Sequence, residues 1–190
     1  MKTTNLITRV TLGVLLAAWI IGCQGEGPVG VVEAPKSQTP DFIKLAPVNR
    51  SLSKIVTSSA LITVKDGGTL TLEYSTSTSS LKLRLDFPPG AVSQDITASV
   101  SLDDTMRTID ITFSPSPTSF LKPALLDVDA TGLDFSGLPS NTQIKFYYRN
   151  LDTGIWEEMP TKKLDENIPQ GWLKCDNGQV PHFSIYAFGR

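Results

Sequence analysis

Histidine is nearly absent from this chain of 190 residues, since His182 is the only one. A hydrolytic triad has no second histidine to draw on, and the chain contains neither a glycine-rich phosphate loop nor a nucleophile elbow. The neighbouring carboxylates Asp103 with Asp104, and Asp127 with Asp129, lack calcium-loop spacing. The sequence therefore predicts a protein that is not a turnover enzyme and that holds no metal and no small-molecule cofactor.

Long hydrophobic runs are also scarce, and the only one, Val10 to Ile21, lies close to the N-terminus. Its twelve residues are well short of the roughly 20 that a helix needs to cross a bilayer core. Lys2 and Arg9 precede it without any acidic residue, which is the layout of a secretory signal. The run therefore indicates an exported protein and no membrane-spanning helix.

The run ends in Ile20-Ile21-Gly22-Cys23, a string that resembles a bacterial lipobox. In the pathway that this motif implies, a diacylglycerol joins the cysteine thiol, the chain is cut between Gly22 and Cys23, and the new amino group is acylated, as with palmitate. We therefore expect a signal peptide at 1–22, lipidation of Cys23 and a membrane-anchored protein of the cell envelope. Gln24, rather than aspartate, favours the outer membrane where a cell has one. The alternative is an ordinary small-residue cleavage site that a cysteine happens to follow.

Removal of 1–22 changes two properties of the rest of the chain. The net charge of −2 becomes −4, because Lys2 and Arg9 are lost, and such a chain has no electrostatic reason to bind nucleic acid. An acylated Cys23 also leaves Cys175 without a disulfide partner. We expect Cys175 to be a buried, inert thiol rather than a reactive one.

The next segment, residues 23–50, begins with the cysteine that we expect to be lipidated and has four prolines, three glycines and little periodicity. Such a composition is typical of a flexible, disordered linker. Its root-mean-square span would be on the order of 30 Å, enough to hold a small domain away from a membrane surface.

From residue 51 onward, apolar and polar residues alternate in short runs, as in strands with one apolar face. No stretch of helical length keeps a 3.6-residue period. The predicted strands lie at Ala60–Val64, Leu70–Tyr74, Leu81–Phe87, Ile96–Leu102, Ile109–Phe113, Leu126–Ala130, Ile144–Tyr148, Ile155–Met159, Trp172–Cys175 and Phe183–Phe188.

Turn-forming residues separate these runs, through glycine, proline, and the local side-chain bonding of Asp or Asn. Together with the strands they predict one all-β domain at 51–190, a single antiparallel β-sandwich. The predicted turns lie at 66–68, 88–90, 114–117, 136–139, 152–154 and 176–178.

A glycine pair at Gly67-Gly68 opens one strand, and the strand Leu81–Phe87 runs into Pro88-Pro89-Gly90-Ala91. Phe113-Ser114-Pro115 and Phe120-Leu121-Lys122-Pro123 follow. These motifs resemble the ZU-five domain of zonula occludens proteins, netrin receptors and ankyrins, over about residues 60 to 130. The resemblance implies a β-sandwich used for binding or scaffolding, which is inference by analogy of fold. We therefore expect a lipid-anchored, non-enzymatic interaction or structural module whose partner is an unidentified envelope protein or glycan.

The triplet His182-Phe183-Ser184 near the C-terminus resembles the self-cleavage site of some relatives with this domain. In that chemistry the serine hydroxyl attacks the preceding carbonyl, and the histidine assists the proton transfers. On one strand, His182 and Ser184 would project to the same side, opposite Phe183. The alternative is a plain last strand, in which pairing begins at Pro181 and Phe183 packs inward with Ile185 and Ala187.

A third hypothesis is a carbohydrate-binding module. Trp156, Trp172, Tyr147 and Tyr148 would then form an aromatic platform for a sugar or another envelope ligand. Packing in the core or at a sheet edge is the alternative role for these side chains.

Overall fold

The computed structural model describes residues 39–46, 55–103, 108–138 and 143–190. Within these ranges the regular structure consists of thirteen strands. They are β1 (Lys44–Leu45), β2 (Ile55–Ile62), β3 (Gly68–Ser75), β4 (Ser80–Phe87), β5 (Ile96–Asp103), β6 (Ile111–Ser114), β7 (Ser119–Thr131), β8 (Leu133–Asp134), β9 (Lys145–Arg149), β10 (Trp156–Met159), β11 (Lys163–Asn167), β12 (Trp172–His182) and β13 (Ile185–Gly189).

Two large antiparallel sheets contain most of these strands. One has six strands in the order β10-β9-β13-β6-β5-β2, and the other has five in the order β11-β12-β7-β4-β3. A third, two-stranded sheet pairs β1 with β8. The prediction of an all-β chain with a sandwich-like arrangement of antiparallel sheets is confirmed.

Alternation along the strands builds the core. In β4, Leu81, Leu83 and Leu85 are buried, whereas Lys82 and Arg84 face solvent. The same pattern in most of the other strands turns one apolar face of each large sheet inward, so that burial of these side chains stabilises the stack. The fully buried aromatic rings come from the six-stranded sheet and from the corner that follows β12, and they are Phe113, Phe146, Phe183, Tyr186 and Phe188.

Residues 41–46 belong to this domain, although the sequence places them in the linker. Ile43 donates its backbone N–H to Phe188 O at 2.9 Å, and its own carbonyl accepts a bond from Ile109 N. The segment thus lies between the end of β13 and residues 108–109. Ile43 and Leu45 are both buried in the core. The ordered domain therefore starts before residue 51.

The two C-terminal strands differ from their predicted bounds. Residues 176–178, predicted as a turn, form a bulge inside β12, where Asn177 takes a positive φ of 51°. Consequently β12 continues to His182, and Pro181 lies within this strand instead of beginning the next one. The last strand starts at Ile185 rather than at Phe183. Strands β1, β8 and β11 were not predicted.

Gly22, Cys23 and the predicted signal peptide lie outside the described residues, so the lipidation of Cys23 stays a prediction. In the part of the chain that the structure describes, no helix has the length and hydropathy needed to span a bilayer.

Candidate functional site

The peptide between Phe183 and Ser184 lies at a corner of the sandwich. His182 ends β12 in the five-stranded sheet, and Ile185 begins β13 in the six-stranded sheet. Phe183 and Ser184 thus carry the chain from one sheet to the other. Both side chains are buried, and neither residue belongs to a strand, so the single-strand geometry of the prediction does not hold.

Ser184 is held by hydrogen bonds to two other segments. Its hydroxyl donates to Arg149 O at 2.6 Å, and its carbonyl accepts a bond from Phe113 N at 3.0 Å. A buried hydroxyl needs such a partner, because an unsatisfied one costs about 1–3 kcal/mol. The Ser184 proton therefore points at the Arg149 carbonyl.

Phe183 is fixed through both its backbone and its ring. Its N–H donates to Thr118 O at 2.9 Å, and its carbonyl oxygen accepts a bond from the Ser116 hydroxyl at 3.1 Å. The ring packs edge-on against Phe120, with centroids 4.9 Å apart, and contacts Phe87 and Phe113 at 6.1 and 6.4 Å. The carbonyl that a serine attack would use thus already has one hydrogen-bond donor.

His182 is half-buried and lies beside two tyrosines. Its ring contacts Tyr148 edge-on, with centroids 4.7 Å apart, and its carbonyl accepts a bond from the Tyr186 hydroxyl at 2.7 Å. Burial raises the pKa of Tyr186, which keeps this hydroxyl protonated as a donor. His182, Phe183 and Ser184 all line a surface cavity of about 210 Å³, together with Ser116 and Tyr148.

The corner therefore brings together a serine, a histidine and a polarised carbonyl around one cavity. These groups suit an attack of Ser184 Oγ on the Phe183 carbonyl carbon. Such an attack would first require the Ser184 hydroxyl to leave the Arg149 carbonyl.

The structure does not bring the four predicted platform aromatics onto one surface. Because Trp156 pairs with Arg149, and side chains alternate along β9, Tyr147 and Trp156 share a face of the six-stranded sheet. Trp156 also contacts Phe42, with ring centroids 4.6 Å apart. Tyr148 points to the other face, towards His182. Trp172 belongs to the five-stranded sheet.

The outer face of the five-stranded sheet carries a feature that the sequence analysis missed. Glu73 pairs with Lys82, Lys82 with Asp129, Asp129 with Lys174, and Lys174 with Asp165. Charges of opposite sign thus alternate across all five strands. We call this surface the charged face; its row of five is joined by Arg84 opposite Asp127 and by Asp176 opposite Lys163.

An open depression of about 350 Å³ lies on the charged face. Lys174 Nζ lies 3.7 Å from Asp176 Oδ1. Asp127 Oδ1 accepts a hydrogen bond from Asn177 N at 2.8 Å. Charged residues at the outward positions of the predicted strands were a sequence signal for the charged face. Their arrangement in rows across the sheet, however, depends on which strands are neighbours. Side chains of both signs therefore line one exposed, strand-built surface.

Cys175 lies beneath this surface, and it is fully buried and free of any disulfide. Burial raises the pKa of its thiol from the ordinary 9.0 to about 12. A thiol that stays protonated at neutral pH is a poor nucleophile, in accord with the inert role expected for Cys175.

No group of three or more potential metal ligands occurs in the described parts of the chain. Asp127 and Asp129 lie on the charged face among basic partners.

No protein-family model, no curated protein and no solved structure matches this chain. The resemblance to the ZU-five domain therefore stays a prediction.

Proposed function

We propose that this protein is a lipid-anchored, non-enzymatic interaction module of the bacterial cell envelope, and that it binds its partner through the charged face. The observation that carries this proposal is the unbroken row of alternating charges from Glu73 to Asp165. The lipobox-like string ending at Cys23 supplies the reason for an anchor.

Two physical properties suit the charged face to recognition. The positions of its charged residues are fixed by strand register. No loop therefore has to become ordered before a partner can bind. Alternating signs also favour a partner whose charges match in position and penalise one whose like charges oppose them. The partner class that fits is an envelope protein surface with both acidic and basic groups.

The charged face gives a direct test by charge reversal. We expect the Lys82→Glu/Lys174→Glu variant to capture its partner from envelope extracts about tenfold more weakly than the native chain, equivalent to about 1.4 kcal/mol. Together the two substitutions make all five side chains of the row acidic. Quantitative mass spectrometry of the captured proteins, with the anchor intact, measures the ratio.

The matched control is Lys44→Glu/Lys65→Glu, which changes the net charge equally at exposed positions away from the charged face. We expect this control to capture as the native chain does. Equal capture by all three proteins, or loss in the control alone, would contradict the proposal.

A second candidate function is self-cleavage between Phe183 and Ser184. The hydrogen bond from Ser116 to the Phe183 carbonyl favours it, because that donor would stabilise the oxyanion formed on attack. In this reaction Ser184 Oγ bonds to the Phe183 carbonyl carbon, the peptide C–N bond breaks and the Ser184 nitrogen gains a proton. Water then hydrolyses the ester and releases residues 184–190. His182 would carry the protons.

Self-cleavage predicts a chain whose mass under denaturing conditions lacks residues 184–190. We expect Ser184→Ala to abolish the loss and Ser116→Ala to slow it, since the latter removes one donor to the oxyanion. Thr153→Ala, on an exposed turn, is the control and should cleave normally. An intact mass for the native chain under denaturing conditions would eliminate this candidate and leave the interaction proposal standing.

A further inference from the structure

Strand β2 forms one edge of the six-stranded sheet. It pairs with β5 at eight consecutive positions, from Ile55 opposite Asp103 to Ile62 opposite Ile96. No other strand in the described ranges pairs with its second edge. Ile55 and Leu61 are 64% and 63% exposed, and they lie on the same outward face of the strand.

Charge distinguishes β2 from the other three edges of the large sheets. Edge strands β3, β10 and β11 all carry charged side chains, namely Glu73, Glu157, Glu158, Lys163, Asp165 and Glu166. In contrast, β2 has the sequence IVTSSALI, without charge, proline or glycine. Charged side chains, proline, bulges and short length are the features that keep a sheet edge from pairing with another chain. Strand β2 has none of them.

We infer that β2 pairs with β2 of a second copy of this chain. The two strands run antiparallel about a twofold axis at Ser58, so that the two six-stranded sheets join into one. Ile55 then lies opposite the partner's Leu61, and Thr57 lies opposite the partner's Ser59.

The strand sequence selects this occupant and this register. A twofold interface uses the same surface on both copies, so that surface must complement itself. About Ser58 the outward side chains read apolar, hydroxyl, hydroxyl, apolar in both directions. A shift of one residue would oppose side chains of different faces, and a shift of two would leave Ile55 or Leu61 without an apolar partner.

Side chains further into the sheet are compatible with the same arrangement. Ser59 lies in a row with Ser99 and Ser114, and Thr57 lies in a row with Ser101 and Thr112. The pairing would continue each row of hydroxyls into the second copy. Strand β2 carries no charged side chain, so the pairing would not remove water from any charge on this strand. Such desolvation is a large cost when charged groups are buried.

A disulfide at the twofold axis tests the pairing in the full-length chain. Directly opposed residues in antiparallel strands have Cα atoms about 4.5–5.5 Å apart, within disulfide range. We therefore expect Ser58→Cys to give a covalent dimer on mild oxidation in native membranes. Ser75→Cys, on edge strand β3, controls for random collision and should give no covalent dimer. Equal crosslinking of the two variants, or none at Ser58→Cys, would overturn the inference.

A charge placed at the same edge tests the register. We expect the native chain to sediment as a dimer in detergent, and Ser59→Lys to halve that mass, because the two lysines would lie diagonally across the axis, within reach of each other. Adding Thr57→Glu should restore the dimer, since each lysine would then face a glutamate of the other copy. Ser75→Lys should remain dimeric. A native monomer at every concentration, or a dimer that Ser59→Lys leaves intact, would overturn the inference; neither result bears on the charged face.

Discussion

The Phe183→Ala variant should lose about 3–5 kcal/mol of folding free energy. Phe183 is 1% exposed, and its ring contacts Phe87, Phe113 and Phe120. Truncation therefore removes apolar burial and leaves a cavity between the two sheets, at the point where the chain passes from one to the other. Urea unfolding followed by tryptophan fluorescence measures the loss as a lower midpoint.

Leu121→Ala is the matched control. It also removes a large apolar side chain, but Leu121 is 72% exposed. We expect this change to stay within about 0.5 kcal/mol of the native chain. Phe183→Leu should fall between the two, and it keeps the comparison available if the alanine variant does not fold. A Phe183→Ala midpoint equal to that of Leu121→Ala would contradict the expected contribution of this buried ring to stability.

Stability should also fall steeply in alkali. Burial raises the pKa of the Cys175 thiol from 9.0 to about 12, so the folded chain keeps a proton that the unfolded chain releases. The contribution is therefore fully present below pH 9 and is lost between about pH 9 and 12. By about pH 11 this one group should cost about 2–3 kcal/mol. Burial shifts the pKa of Tyr186 in the same direction, which steepens the fall.

Cys175→Ala isolates the thiol from the other groups that titrate in alkali. The variant should be less stable at neutral pH because it leaves a small cavity, yet its stability should decline less between about pH 9 and 11. Urea unfolding at a series of pH values gives both quantities. Parallel pH profiles for the two proteins would show that the thiol makes no such contribution.

Most strands could be predicted because burial on one face writes a two-residue period into the sequence. The predicted strand Leu81–Phe87 lies within β4, and Leu70–Tyr74 lies within β3. Strand β11 could not be found in this way, since Lys163–Asn167 lies at a sheet edge and carries three charges instead of alternating. Strands β1 and β8 have two residues each, too few to show a period.

Local turn chemistry misled the prediction at 176–178. Asp, Asn and Gly in sequence favour a turn, but pairing of β12 with β7 on both sides of this point absorbs the extra residue as a bulge. Because β12 then reaches His182, the following two residues become the crossing between sheets. The triplet His182-Phe183-Ser184 was therefore recognised from residue types, whereas its corner geometry depends on distant partners such as Ser116 and Arg149.

The order of the strands within each sheet could not be predicted from the sequence, and the charged face depends on that order. Lys82 and Lys174 are far apart in the chain, and only the intervening β7 places Asp129 between them. The same holds for β2, whose uncharged sequence could be read directly but whose position at an edge could not.

The hydrogen bonding of residues 41–43 to the end of β13 has a mechanical consequence. Asp41 and Arg190 exchange two backbone hydrogen bonds, of 2.9 and 3.0 Å, and Ile43 adds a third bond to Phe188. A pull directed along residues 41–43 loads these three bonds at once. The bonds then share the load instead of breaking one after another.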